Sequence, residues 1–419
     1  LDTIEKINLG EGLNLILINT PKFKTNLVSV YMQRPLNRNE VTKNALIPSL
    51  LESGSMNFKS QREISKKLDE LYGASILCDT SKKGEKSILS FKLAITNDIY
   101  INENIFIEGL RFLNEIISNP LVENNGFKKE YVEIEKNNLR DRIRGRINDK
   151  NHYSIERCIE EMCKNENFSI HEYGYEEDLD SIDEVSLYNH YKEVIKTSPI
   201  DIVVAGNFEK ENVINDVKNI FNFERSNIIT IPKEKIRFDV DSVKNVIDKM
   251  DVTQGKIVLG FRTNVDYEDE KYYSLMVYSS ILGGGPHSKL FMNVREKESL
   301  CYYIYSSIEK YKSIMLIGSG IEINNYDKAL ELINKELEKM KKGEISDEEI
   351  NNSKKSLINS INSVKDSLGG LTEFYYSQAI SGTKENLSSI IEKINNVTID
   401  KVVDSCQEIK LDTVYFLRN

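Results

Sequence analysis

The side chains best suited to chemistry in this 419-residue sequence are Arg295 and Tyr302, which stand seven positions apart in the stretch Leu282 to Ser306, LGGGPHSKLFMNVREKESLCYYIYS. Arginine carries a permanent charge and a planar set of donors, and tyrosine offers a phenolic O–H. Held at one corner, the two could grip a peptide carbonyl or a carboxylate. The plainer reading is a solvent-facing arginine at a helix end and a tyrosine that fills a sheet. A zinc hydrolase would need two histidines a helical turn apart, a third ligand and a carboxylate to take a proton from bound water. Here the histidines are His152, His171, His190 and His287, no two within a turn, which favours surface or satisfied core roles. Cys78, Cys158, Cys163, Cys301 and Cys406 are scattered, odd in number and without a C-x-x-C pair, so they read as buried reduced thiols rather than a disulfide framework or thiolate metal site.

The elements that must position the pair follow from the residues around it. Gly283, Gly284 and Gly285 leave the backbone free of bulk, Pro286 can open a helix, and Leu290, Phe291 and Val294 form an apolar stripe. A short helix is expected to end near Ser299, with a strand from Leu300 to Tyr305. Helix then strand places Arg295 and Tyr302 near one corner. The glycines either admit a peptide or partner backbone or simply turn the chain.

Elsewhere the pattern alternates strands and helices. Ile4 to Met32 reads as strands, Asn44 to Leu51 as an apolar helix stopped at Gly54, and Ser60 to Glu63 as a capping box. Phe127 to Lys150 reads as one charged, solvated helix, and Ser181 to Glu184 as a cap for the next. Helix and then the strand DIVVA, Asp201 to Ala205, close the first half; Ile399 to Cys406 and Val414 to Leu417 close the second in the same way. That repetition predicts an α+β protein of two duplicated domains, 1–222 and 250–419, joined by 223–249. The formal charge of -10 argues against a nucleic-acid partner. No apolar run reaches transmembrane length and no secretion signal opens the sequence, so the cytoplasm is the expected location.

The segment from Gly283 to Tyr302 resembles the C-terminal half of pitrilysin-type zinc peptidases, in the processing-peptidase-like branch. It shares their glycine run, the R-E of Arg295 and Glu296, and the L-x-Y of Leu300 and Tyr302, with Ser299 where glycine is usual. The resemblance covers nearly the whole chain and implies two metalloprotease-like αβ-roll domains, each a mostly antiparallel sheet packed with helices. In this family H-x-x-E-H binds zinc; aligned here, it falls on Ala45-Leu-Ile-Pro48-Ser49, and the distant glutamate is expected within several residues of Arg142, in the stretch Glu135 to Ile143. The resemblance therefore implies that this chain binds no cofactor and that zinc sits on a homologous partner subunit. Arg295 and Tyr302, with Gly284 and Gly285, would bind a peptide or unfolded substrate, Tyr302 serving as oxyanion donor in trans. It leaves room for a homodimer when the chain is alone. The alternatives are a peptide- or partner-binding scaffold without hydrolysis, and a self-sufficient site on Cys158 or His287.

Overall fold

The computed structural model describes residues 3–101 and 103–419; Leu1 and Asp2, with which the expected first domain begins, and Asn102 lie outside the described residues. The chain packs into two units. One comprises the segment ending at Arg144, Ile170–Pro232 and Val364–Ile380; the other comprises Gly145–Ser169, Lys233–Ser363 and Ser381–Asn419. In the first, β1 (Thr3–Gly10), β2 (Leu13–Asn19), β3 (Thr25–Pro35), β4 (Ser75–Lys83), β5 (Lys86–Thr96) and β8 (Ile200–Gly206) form a sheet ordered β1-β2-β8-β3-β5-β4. A two-residue ladder pairs β6 (Val122–Glu123) with β7 (Gly126–Phe127). The helices of this unit are α1 (Val41–Ser53), α2 (Gln61–Glu70), α3 (Ile105–Ser118), α4 (Lys129–Gly145), α6 (Glu176–Leu179), α7 (Glu184–Thr197), α8 (Lys210–Ile220) and, from late in the chain, α12 (Leu368–Ser381).

In the second unit β9 (Lys244–Lys249), β10 (Gly255–Arg262), β11 (Cys301–Glu309), β12 (Ile314–Ile321) and β13 (Lys410–Arg418) are ordered β11-β12-β10-β13-β9. Its helices are α5 (Lys150–Met162), α9 (Lys271–Gly283), α10 (Tyr326–Lys341), α11 (Asp347–Val364), α13 (Leu387–Asn395) and α14 (Ile399–Cys406). The two sheets share a plan. β8 lies parallel to β2 and antiparallel to β3, while β13 lies parallel to β9 and antiparallel to β10. Reading outward, β8-β3-β5-β4 corresponds to β13-β10-β12-β11, so β4 and β11 are equivalent open edges.

Every residue of β8, β10 and β12 is buried, so these strands need cover on both faces. On one face of the second sheet Ile257, Leu259, Met315 and Ile317 pack into the main core. On the other, Val258, Leu316, Tyr415 and Leu417 meet Cys158 and Met162 of α5. In the first sheet Tyr31 of β3 stacks on Tyr376 of α12, ring centroids 3.7 Å apart. Glu373 of α12 accepts the Tyr31 hydroxyl at 2.9 Å and ion-pairs with Lys92 at 2.8 Å and Lys83 at 3.1 Å. Each sheet thus takes part of its cover from the opposite half of the sequence.

A buried charge cluster fixes α5. Arg262, 2% exposed, pairs with Glu166 just beyond that helix and with Asp412 of β13 at 3.1 Å, and Lys312 reaches the same Glu166 at 2.7 Å. Phe238 lies against both cations, 4.3 Å from the Arg262 guanidinium and 4.9 Å from Lys312 Nζ.

Several local expectations change. The charged helix ends at Gly145, and Val132, Glu135, Lys136 and Leu139 give α4 a buried face, so it is amphipathic rather than solvated all round. The cap of α7 is Asp183 with Ser186, not Ser181 with Glu184, because the Asp183 carboxylate already accepts the Val185 and Ser186 amides. At α2 the Ser60 hydroxyl accepts the Glu63 amide as expected, at 3.3 Å. Truncating Glu166 to alanine removes the carboxylate that Arg262 and Lys312 share and leaves Asp412 on Arg262. We expect a loss of about 3–5 kcal/mol in urea denaturation, the range for breaking a buried pair.

Candidate functional site

The predicted corner is built from the end of α9 onward. A Cβ on Gly283 would lie 2.4 Å from the Ser306 amide nitrogen, so this glycine is what lets α9 close against the backbone of β11. Gly284 donates to the Ser280 carbonyl at 3.0 Å and ends the helix, and Gly285 turns the chain at a φ of 150°. Pro286 lies in that turn rather than opening a helix. Ser288 does so instead, its hydroxyl accepting the Phe291 amide at 3.4 Å. Residues Phe291–Glu296 then wind as a wide π-turn, a form that recurs at functional sites. Leu290 and Val294 are buried beneath it, and the Arg295 guanidinium lies 4.6 Å above the Phe291 ring centroid.

The turn is closed by the Ser299 amide donating to the Arg295 carbonyl and the Leu300 amide to the Val294 carbonyl, at 3.0 and 3.2 Å. Ser299 sits at a φ of 53°, the left-handed conformation that glycine adopts most cheaply. The serine keeps the geometry and bears its strain.

Beyond it, the register of β11 steps from Cys301 opposite Ile321 to Tyr303 opposite Gly320, leaving Tyr302 as the extra residue of a bulge. Bulges re-aim side chains at sheet edges. Cys301 and Ile304 stay in the core, while Tyr302 is turned out, 50% exposed, on the outermost strand. Its hydroxyl donates to Glu322 at 3.4 Å. Arg295 is also partly exposed, its nearest carboxylate Glu296 at 3.8 Å. Burial raises the Cys301 thiol pKa, with the Ser319 hydrogen bond and the Arg295 charge working against that rise.

The helix expected to carry the lost metal motif is α1. Ala45 and Pro48 are buried and have no donor atoms to offer a metal, and Ser49 is half-buried. Neighbouring carboxylates have other partners: Glu135 accepts the Ser53 hydroxyl at 2.9 Å, Glu52 accepts the Cys78 amide at 3.3 Å, and Asp79 accepts the Thr80 amide at 2.8 Å. Burial raises the Glu52 carboxyl pKa, and the Glu135 and Asp79 charges add to it. Arg142 lies 3.3 Å from Asp79 and 5.1 Å from the Tyr173 ring centroid. Among the described residues no three His, Cys, Asp or Glu side chains are grouped to hold a metal ion. These residues do not fit zinc.

The histidines are dispersed. His152 pairs with Glu156 at 3.0 Å on the surface, His171 packs against Tyr173, and His190 bonds Asn44 at 2.8 Å in the core. His287 is half-buried beside the Ser280 backbone; burial depresses its pKa. Cys158 is fully buried, which pushes its thiol far above the range of a reactive thiolate. The bulge, Glu322 and the Glu52 carboxylate do not follow from the sequence, whereas Glu135 lies at the start of the range, 135–143, in which the distant glutamate is expected. The adjacent Tyr302 and Tyr303 interrupt a strict two-residue alternation but do not say which of them is the extra residue.

A family model described as "Peptidase M16 inactive domain" matches residues 181–357. A Bacillus subtilis (strain 168) protein named probable inactive metalloprotease YmfF is 36% identical over 409 residues, covering 97% of this chain and 96% of that protein. The uncharacterized zinc protease YmxG of the same organism is 24% identical over 410 residues, covering 95% and 94%. Among solved structures, a conserved protein from Enterococcus faecalis V583 matches 99% of this chain and 98% of its own at a TM-score of 0.91 and 31% identity. A protease from Helicobacter pylori shares the fold over 100% of both chains, with a TM-score of 0.83 at 17% identity. No helix among the described residues is long and apolar enough to cross a membrane.

Burial holds His190 neutral and pushes its pKa down from 6.5 to about 4, the Arg34 and Lys43 charges assisting and Glu40 opposing. The unfolded chain therefore takes up this proton first. Stability from His190 is complete above 6.5 and declines as the pH falls toward about 4. His190→Gln, which can still donate to Asn44, should flatten that decline by up to about 3 kcal/mol. Urea denaturation of both proteins across this pH window checks it.

Proposed function

Because the chain belongs to the pitrilysin-type M16 peptidase family, as an inactive, non-catalytic peptidase-like member, we propose that it is the substrate-binding subunit of a two-subunit zinc peptidase. The observation that carries this reading is Tyr302, turned outward by a bulge on an open edge strand in the segment that also presents Arg295. A sheet-filling tyrosine would not need a bulge to expose it.

In this reading an extended peptide adds to the open edge of β11, where main-chain hydrogen bonds hold it with little side-chain selectivity. The homologous partner subunit supplies the zinc and the water it activates. Tyr302 leaves Glu322 and donates to the scissile carbonyl oxygen as that oxygen gains negative charge. A donor already oriented at that position is worth more than one water must reorganise to provide. Arg295 grips a neighbouring carbonyl or a substrate carboxylate. Gly284 and Gly285 keep the approach to that turn free of side chains. The reading sets both subunits in the cytoplasm, with peptides or unfolded polypeptide as substrate, and allows a homodimer when the partner is absent.

The test mixes the purified chain with a zinc-bearing homologue and follows a quenched peptide. Tyr302→Phe should lower turnover by about 10²–10³-fold, the usual cost of one oxyanion donor, while the complex stays intact on gel filtration. An unchanged rate would remove Tyr302 from the chemistry and leave the chain a scaffold.

A further inference from the structure

Beside the Tyr302 corner, the second sheet buries a lysine without a counter-charge. Lys256, near the start of β10, is 8% exposed. Among the described residues its Nζ meets the Gln254 amide oxygen at 3.4 Å and lies 5.3 Å from the Tyr303 ring centroid, with no carboxylate in ion-pair range. Other buried lysines are treated differently: Lys289 has Glu349 at 2.8 Å, Lys312 has Glu166 at 2.7 Å, and Lys136 has Glu133 at 3.1 Å. An ammonium taken from water without a partner is costly. Burial accordingly lowers the Lys256 pKa, and Asp149 opposes this only from a distance. The Asp149 carboxylate is occupied in capping α5, accepting the Asn151 and His152 amides at 3.0 and 3.1 Å.

The surroundings suit an anionic guest. Lys256, Gly320 and Tyr303 form one row across β10, β12 and β11. The Tyr303 and Tyr305 rings lie over Gly320 and Gly318, where a Cβ would come within 2.5 and 2.8 Å of them. Tyr303 donates to Asn151 at 2.7 Å, which ties its ring to the start of α5. Because Tyr302 is the bulge residue between core-facing Cys301 and Ile304, it shares a face with Tyr303, and the row runs inward on that face from the β11 edge across β12 to Lys256.

We propose that Lys256 anchors a carboxylate subsite, taking a carboxylate of the bound peptide two strands inward from the edge that carries Tyr302. The peptide as ligand rests on the function proposed above; the unpaired lysine does not. A carboxylate could come from the peptide C-terminus or from an acidic side chain.

The experiment titrates the full chain, by fluorescence anisotropy, with a short labelled unstructured peptide as its free acid and as its C-terminal amide. A second pair of amidated peptides carries an internal Glu or Gln. Wild type should bind one acid form about tenfold tighter than its neutral twin, and which pair discriminates identifies the source. Lys256→Met should abolish the discrimination while leaving neutral-peptide affinity as in wild type, and Lys256→Arg should retain it. Should the methionine variant fail to fold, Lys256→Gln answers the same question. Equal binding of acid and neutral forms by wild type, no binding of either, or discrimination surviving in Lys256→Met would overturn the subsite. Tyr302→Phe separates the two proposals: charge discrimination that persists in this variant upholds the subsite even where cleavage assays deny Tyr302 a role.

Discussion

A sheet whose central strands are apolar on both faces has to be covered twice, and everything else in this molecule accommodates that demand. β10 and β12 are buried along their whole length, and their second face is packed by α5, which belongs by sequence to the opposite half. The first sheet receives α12 in return. Apolar packing alone would tolerate some sliding of these helices. The charges do not: Glu166 is shared by Arg262 and Lys312, and Glu373 is shared by Tyr31, Lys83 and Lys92, so each exchanged segment is registered by directional bonds. Buried ion pairs add little net stability but penalise misplacement strongly. Here they define which helix position meets which strand.

On this duplicated frame the two equivalent edges have diverged. At β4 the amides of Cys78 and Thr80 are taken by the carboxylates of Glu52 and Asp79, and the adjoining α1 presents Ala45, Pro48 and Ser49. At β11 a bulge and a wide helical turn spend regular hydrogen bonding to bring Tyr302 and Arg295 outward. Irregular backbone in the middle of otherwise regular elements usually has a local reason. In this chain the irregular edge is the one bearing polar donors.

Much of the frame is legible in the residues themselves. Glycines at 54, 206 and 343 punctuate elements where periodicity changes, and the helix-then-strand endings of both halves announce the duplication seen in the strand orders. Arg295 and Tyr302 stand out through the family resemblance, since residue type alone equally allows a solvent-facing arginine and a sheet-filling tyrosine. What escapes is non-local. The exchange of α5 and α12 depends on which amphipathic stripe finds which sheet, and a stripe does not name its partner. The helix start at Ser288 rather than Pro286, and the cap at Asp183 rather than Ser181, turn on competition between adjacent side chains that each satisfy the same rule. The bulge at Tyr302 is hidden because consecutive aromatic residues fit a strand in either register.

The reciprocal cover also sets an order of events during synthesis. β8 completes the first sheet about midway along the chain, yet Tyr376 and Glu373, which lie against Tyr31, are made near its end. At about 5–20 residues per second the ribosome needs on the order of ten seconds to travel between them. Throughout that interval the face of β3 on which α12 packs is without that cover. The cover of that face is therefore supplied by residues made long after the strands they lie on.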